Sequence, residues 1–84
     1  MKILEVNIVK GVGEADLQNS VLIDVTFQDT LFIFFKTRYT RRILVTLYQY
    51  LREASHAVDI DTGESIDYNV QRAISGHLKL KGIL

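Results

Sequence analysis

Nucleophilic, basic and acidic side chains occur close together at one point of the chain, where Ser55 and His56 precede Asp59. These are the residue types of a hydrolytic triad, in which histidine takes a proton from serine and aspartate orients the histidine. Such a relay needs side chains that distinct structural elements bring together, and neighbours on one short polar segment rarely meet in that geometry. We therefore do not predict nucleophilic catalysis here.

A second candidate for chemistry is the triplet Asp61-Thr62-Gly63. It is similar to the triplet that carries the catalytic aspartate of aspartic proteases. Aspartate and glycine are also the usual residues of tight turns, because aspartate accepts hydrogen bonds from nearby backbone N–H groups and glycine adopts positive φ. A match of three residues therefore predicts a turn rather than a catalytic site.

Ligands for a metal ion or a cofactor are scarce in this chain. There are two histidines, His56 and His77, and no cysteine. A zinc site usually assembles three or four such ligands. Gly11-Val12-Gly13 lacks the third glycine and the following helix of a dinucleotide-binding loop. We predict a protein with no metal, no cofactor and no enzymatic activity.

The composition is that of one folded domain spanning residues 1–84. Apolar residues make up 48% of the chain, and four tyrosines and four phenylalanines are enough for a hydrophobic core. The longest apolar run has five residues, far fewer than the ~20 that a membrane-spanning helix needs. Because there are no cysteines for disulfides, we expect a protein of the cytoplasm that does not enter a membrane.

The first half of the chain carries strand patterns. Apolar and polar side chains alternate over residues 3–9 and 21–27, and the second segment places Val21, Ile23, Val25 and Phe27 on one face. A turn at residues 28–30 and a third strand over 31–36 follow. So short a link predicts an antiparallel hairpin between the second and third strands.

The second half carries helical patterns. Apolar side chains over residues 38–54 recur at the period of an amphipathic helix. A second helix is favoured from residue 65 or 67 to 76, with a short final strand over 78–81. Whether residues 55–68 form a hairpin or a loop stays open. The fold class is thus α+β, a small antiparallel sheet of three to four strands in the order β-β-β-α-α-β, with one or two helices packed on one face.

The third predicted strand is apolar on both faces, because Leu31-Phe32-Ile33-Phe34-Phe35 does not alternate. If Phe32 and Phe34 were exposed, they would leave roughly 300–500 Å² of aromatic surface, the size of the largest patch on a typical monomer. Either another part of this chain covers them, or they bind a partner or a second copy.

The predicted first helix carries a basic stripe opposite its apolar face. The stripe consists of Arg38, Arg41, Val45 and Arg52, with Tyr48 beside them. Residues 36–52 hold five positive charges and no negative one, whereas residues 53–67 hold five negative charges and no positive one. Arginine binds carboxylates and phosphates through two parallel hydrogen bonds. The stripe is therefore a solvated face, a contact with the acidic residues of this chain, or a site for an acidic protein or a nucleic acid. The zero net charge argues against broad DNA binding.

We predict a non-catalytic protein that acts by binding a protein partner, of the kind found among small accessory or inhibitory proteins of viruses and mobile elements. A homodimer is an open alternative. The second choice of function is a nucleic-acid-binding module that uses the basic face of the first helix. The predicted contact residues are Phe32, Phe34, Arg38, Arg41, Val45, Tyr48 and Arg52.

Overall fold

The computed structural model describes residues 2–11, 13, 19–32, 35–48 and 53–84, without the side chains of residues 31, 32 and 53. This part of the chain forms four strands and one helix, namely β1 (Lys2–Lys10), β2 (Ser20–Phe32), β3 (Phe35–Tyr48), β4 (Glu53–Asp59) and α1 (Tyr68–Leu80). The strands pair antiparallel in the order β1-β2-β3-β4. The protein is therefore α+β, with a four-stranded antiparallel sheet followed by one helix.

The predicted helix over residues 38–54 is wrong, and the element order is β-β-β-β-α rather than β-β-β-α-α-β. β3 and β4 occupy the described part of this segment, and Ile43, Val45 and Leu47 of β3 are buried at every second position. Leucines elsewhere in the segment satisfy the helical period as well, so the pattern alone was ambiguous. Branched residues such as Ile43 and Val45 favour the pleated surface of a strand.

The predicted turn at residues 28–30 is also wrong. Asp29 pairs with Thr37, and β2 continues to Phe32, which lies opposite Phe35. The described residues of the apolar run 31–35 are therefore divided between the end of β2 and the start of β3 instead of forming a third strand, and residues 33 and 34 lie outside the described residues.

The second predicted helix is confirmed as α1, and the strand predicted after it is wrong. The helix is capped by Asp67, whose carboxylate accepts a hydrogen bond from the Asn69 N–H at 3.0 Å. The helix continues past Gly76 to Leu80, so residues 78–80, whose alternating pattern predicted a strand, are helical. Gly82 follows with φ of 78° and supplies the left-handed position that often ends a helix.

Between β4 and α1 the chain makes a tight turn and then doubles back. The Gly63 N–H donates to the Asp59 carbonyl at 2.8 Å, and Gly63 has φ of 74°. The Ile66 N–H then donates to the Ala57 carbonyl at 2.8 Å. Within residues 55–68, the end of β4 therefore forms a short hairpin with the segment that leads directly into the helix.

The core lies between α1 and one face of the sheet. The predicted face of β2 is confirmed, because its four apolar side chains are all buried: Val21, Ile23, Val25 and Phe27. Ile74 and Leu78 of the helix belong to the same cluster. Each fully buried side chain of this kind contributes about 1.5–3 kcal/mol relative to an exposed one. The other face of the sheet carries polar side chains such as Asp24, Thr40 and Arg42.

β2 and β3 are longer than the strands beside them. β1 reaches only as far as Gln28, and β4 ends opposite Ile43. Residues 29–32 and 35–37, which we name the hairpin arm, pair only with each other in the described part of the sheet. Four residues at about 3.3 Å each make the arm roughly 13 Å long. The molecule is accordingly elongated, at 42 × 23 × 19 Å.

Candidate interaction surface

The base of the hairpin arm is held by side chains of β2 and β3. The rings of Phe27 and Tyr39 stack with their centroids 5.4 Å apart, and the Tyr39 hydroxyl donates to the Asp29 carboxylate at 3.2 Å. Burial and the neighbouring Asp29 carboxylate raise the pKa of the Tyr39 hydroxyl above its usual value. The hydroxyl therefore stays protonated and keeps donating this bond over the whole neutral range.

The tip of the arm is apolar. Phe35 is 65% exposed and faces Phe32 across the hairpin. The residues between them are Ile33 and Phe34, which lie outside the described residues, as does the side chain of Phe32. The prediction that Phe32 and Phe34 form a contact surface thus stays a prediction, while Phe35 is an exposed ring at the start of β3.

The charged side chains near the arm divide into paired and unpaired groups. Arg42 donates to both carboxylate oxygens of Asp24, at 2.9 and 3.1 Å, and this hydrogen bond lowers the pKa of Asp24 below 3.8. Arg41 lies 3.6 Å from Asp59. No ion pair within the described chain involves Lys36 or Arg38. These two exposed cations therefore remain available to an external anion.

The basic stripe predicted for a helix does not exist as one surface. Side chains alternate between the two faces of a strand, so Arg38 and Tyr48 lie on the face away from α1, whereas Arg41 and Val45 lie on the face towards it. Arg38 and Tyr48 are also about 33 Å apart, at about 3.3 Å per residue along β3. Arg52 lies outside the described residues. Among the predicted contact residues of β3, namely Arg38, Arg41, Val45 and Tyr48, Arg38 alone lies next to the arm.

Val45 is the clearest correction among the predicted contact residues. Its side chain is 0% exposed and lies in the core, opposite Val21 on one side and Ala57 on the other. A partner cannot reach it while the sheet is intact. Tyr48 is half exposed at the opposite end of β3, and its role as a contact stays a prediction.

The candidate triad does not assemble. His56 pairs with Thr46, on the face of the sheet away from α1, whereas Asp59 pairs with Ile43, on the face towards α1. The Ser55 hydroxyl donates to the Thr46 carbonyl at 3.2 Å. The Asp59 carboxylate accepts from the Asp61 and Thr62 N–H groups, at 2.9 and 3.3 Å, so it stabilises the turn instead.

A depression beside α1 has polar side chains that are already bonded to the backbone. This depression, with a volume of about 360 Å³, lies beside Ala54 and α1. Two of its polar side chains, Gln71 and Ser75, are engaged with the backbone of Ala54. Within the described ranges, no group of three or more acidic or histidine side chains could hold a metal ion.

No helix in the described chain is long and apolar enough to cross a membrane. Comparisons with models of protein families, with curated proteins and with solved structures found no match. The candidate site is therefore defined by its own geometry, the exposed Phe35 ring with Lys36 and Arg38 near it, two cations that form no ion pair with a described residue.

Proposed function

We propose that this is a non-catalytic protein that binds another protein through the hairpin arm, in an accessory or inhibitory role of the kind that small viral and mobile-element proteins have. The observation that carries the proposal is the exposure of Phe35 on an arm about 13 Å long. An arm of this shape can enter a cleft of a partner, whereas the flat face of a sheet cannot.

The exposed ring is large enough to anchor a complex. An aromatic side chain buries about 150–250 Å², so the 65% of Phe35 that is exposed corresponds to about 100–160 Å². At about 25 cal/mol per Å², its burial contributes about 2.5–4 kcal/mol. That is the range of an interface hot spot, and such residues are often aromatic.

Nucleic-acid binding is the second candidate function. Phe35 offers a ring on which a base could stack, and Lys36 and Arg38, which form no ion pair with a described residue, offer charges for phosphates. The zero net charge weighs against it, because nonspecific affinity depends on many phosphate contacts. A steep loss of oligonucleotide binding as salt rises would favour this candidate over a protein partner.

Affinity capture from an extract of the source cells tests the protein-binding proposal. Three baits are compared, the natural sequence, Phe35→Asp, and Tyr68→Asp as a matched control, because Tyr68 is 67% exposed but lies on α1. We expect a protein that the natural sequence and Tyr68→Asp retain and that Phe35→Asp loses by about 50-fold or more, from the energy above. Equal retention by all three baits would contradict the proposal, and release of the captured material by nuclease would favour nucleic acid.

A further inference from the structure

The side of the sheet formed by β4 and by the part of β3 beyond it is unevenly covered, and other parts of this chain bond to the outer edge of β4. The Ala54 N–H donates to the Ser75 hydroxyl at 3.0 Å, and the Gln71 amide donates to the Ala54 carbonyl at 2.9 Å. Further along β4, the Asp59 N–H donates to the Glu64 carbonyl at 3.0 Å. An incoming strand therefore finds these outward backbone groups of β4 already bonded.

β3, in contrast, has an open edge beyond the end of β4. The Leu47 N–H donates to the Asn19 carbonyl, which lies on the side of β2. The Arg42 carbonyl accepts from the Ile60 N–H, which lies on the side of β4. Because backbone groups alternate in direction along a strand, the N–H and C=O groups of Lys36, Arg38 and Thr40 point away from β2. In the described part of the chain, no strand pairs with them there. We name these three residues the open edge.

We infer that the open edge binds the protein partner by strand addition, taking up an extended acidic segment as an antiparallel strand. This inference rests on the proposed protein-binding function and specifies how the partner is held. No strand among the described residues pairs with the three N–H and three C=O groups of the open edge. Main-chain bonds in such a ladder supply affinity in strand addition, while side chains on alternate positions supply specificity.

The charges flanking the open edge select an acidic segment. Arg41 and Arg42 already contact Asp59 and Asp24, whereas Lys36 and Arg38 are exposed and take part in no ion pair with described residues. Both project on the same face of β3, two positions apart. A segment with acidic side chains at every second position would place one opposite each cation, and oppositely charged cross-strand pairs are stabilising.

The same charges disfavour pairing of the open edge with the open edge of a second copy of this chain. Antiparallel pairing of two open edges about a two-fold axis at Arg38 would set that side chain opposite itself. A shift of the axis by one residue would set Lys36 opposite Arg38. Like charges directly opposite one another destabilise a pair of strands, and charged residues on an edge are a common protection against self-association. The open edge therefore discriminates between itself and an acidic partner.

Hydrogen exchange of single amides, followed by NMR, tests the inference with a synthetic peptide of seven residues that alternates valine and glutamate. We expect saturating peptide to slow exchange about tenfold or more at Lys36, Arg38 and Thr40. Exchange at Thr37 and Tyr39 should stay unchanged, because their N–H groups point towards β2. Equal slowing at both sets, or no slowing at the open edge, would overturn the inference.

Three modified peptides serve as controls on the natural protein. N-methylation of the glutamates removes the N–H groups that would face the open edge, whereas N-methylation of the valines removes those on the far side. We expect the first peptide to lose binding and the second to keep it. A peptide with lysine in place of glutamate should bind at least about tenfold more weakly. Equal binding of both methylated peptides would refute strand addition, and equal binding of the lysine peptide would refute the acidic selectivity.

Variants at Arg38 locate the site. Arg38→Pro removes the charged side chain and one edge N–H but leaves the bonds to β2 in place, a substitution that edge strands tolerate. Arg38→Ala removes the charged side chain and keeps the N–H. We expect Arg38→Pro to abolish the exchange pattern and Arg38→Ala to retain it with weaker binding. The peptide tests and the capture experiment separate the two proposals. Capture that depends on Phe35 without alternating protection would refute strand addition alone, and alternating protection without such capture would refute the role of the arm tip.

Discussion

Substitution of Val45 and Leu44 by alanine gives opposite orders of stability for a strand and for a helix. In β3 the Val45 side chain is fully buried, whereas Leu44 is half buried on the face away from α1, between Leu22 and Val58. In a helix over the same residues, Leu44 would face the core and Val45 the solvent. The two variants therefore test the central correction to the sequence-based fold.

The expected magnitudes follow from burial. Val45→Ala removes two buried methyl groups, which costs about 1.6 kcal/mol at about 0.8 kcal/mol each, and the residual cavity raises the loss to about 2–3 kcal/mol. Leu44→Ala removes three carbon atoms, worth about 2.4 kcal/mol at about 0.8 kcal/mol each when fully buried, from a site that is partly open to water, so we expect a loss of about 1.5–2 kcal/mol. For a domain of this size, Val45→Ala should lower Tm by roughly 10–20 °C.

Urea unfolding followed by circular dichroism measures both losses on the same scale, and the slope of the free energy against urea should be the same for the two variants if the native fold is kept. The reasoning is refuted if Leu44→Ala is more destabilising than Val45→Ala. Equal small losses would also refute it, because they would remove Val45 from the core.

Gly76 and Asp24 give two further tests. Gly76 lies inside α1, and no atom outside its own turn of the helix comes within 4 Å of the point where an alanine methyl group would sit. Gly76→Ala should therefore raise the free energy of unfolding by about 0.5–1 kcal/mol. A loss of stability would place the end of the helix there instead. The Asp24 pKa is depressed by its bond to Arg42, so the stabilisation is complete above the unfolded value near 3.8 and is lost as pH falls through the lower folded value. We expect Asp24→Asn to be less stable than the natural sequence at neutral pH and equally stable at a pH below that folded value, as measured by urea unfolding, and a difference that persists in acid would contradict the assignment.

The elements that sequence patterns predicted correctly are those with a single regular period. β2 alternates cleanly from Val21 to Phe27, and its strand face could be read directly. The helix that begins after Asp67 combines a capping carboxylate with apolar residues at helical spacing, and both signals are local. These features depend on neighbouring residues alone, so the sequence contains them.

The features that were missed depend on which strands meet. Residues 43–48 fit both a helix and a strand, and their pairing with β2 on one side and β4 on the other decides between the two. Aspartate is common in turns, but Asp29 lies within β2, where its carboxylate accepts a hydrogen bond from the Tyr39 hydroxyl across the hairpin.

The candidate site was predictable in kind but not in place. The apolar run 31–35 predicted an apolar contact surface, and Arg38 was predicted as a basic contact residue. The open edge arises because β4 ends opposite Ile43, a fact of strand register that no local pattern contains. Val45 was misplaced for the same reason, since a helical wheel and a pleated strand send it to opposite sides.

The bonds from Gln71 and Ser75 to Ala54 have a consequence for synthesis of the chain. Both side chains belong to α1, which leaves the ribosome after the whole of β4 has been made. A nascent chain therefore presents an unprotected β4 until the helix docks, and such a strand invites pairing with other chains. We therefore expect a chain truncated before residue 68 to keep this edge of β4 uncovered and to aggregate more readily than the natural sequence.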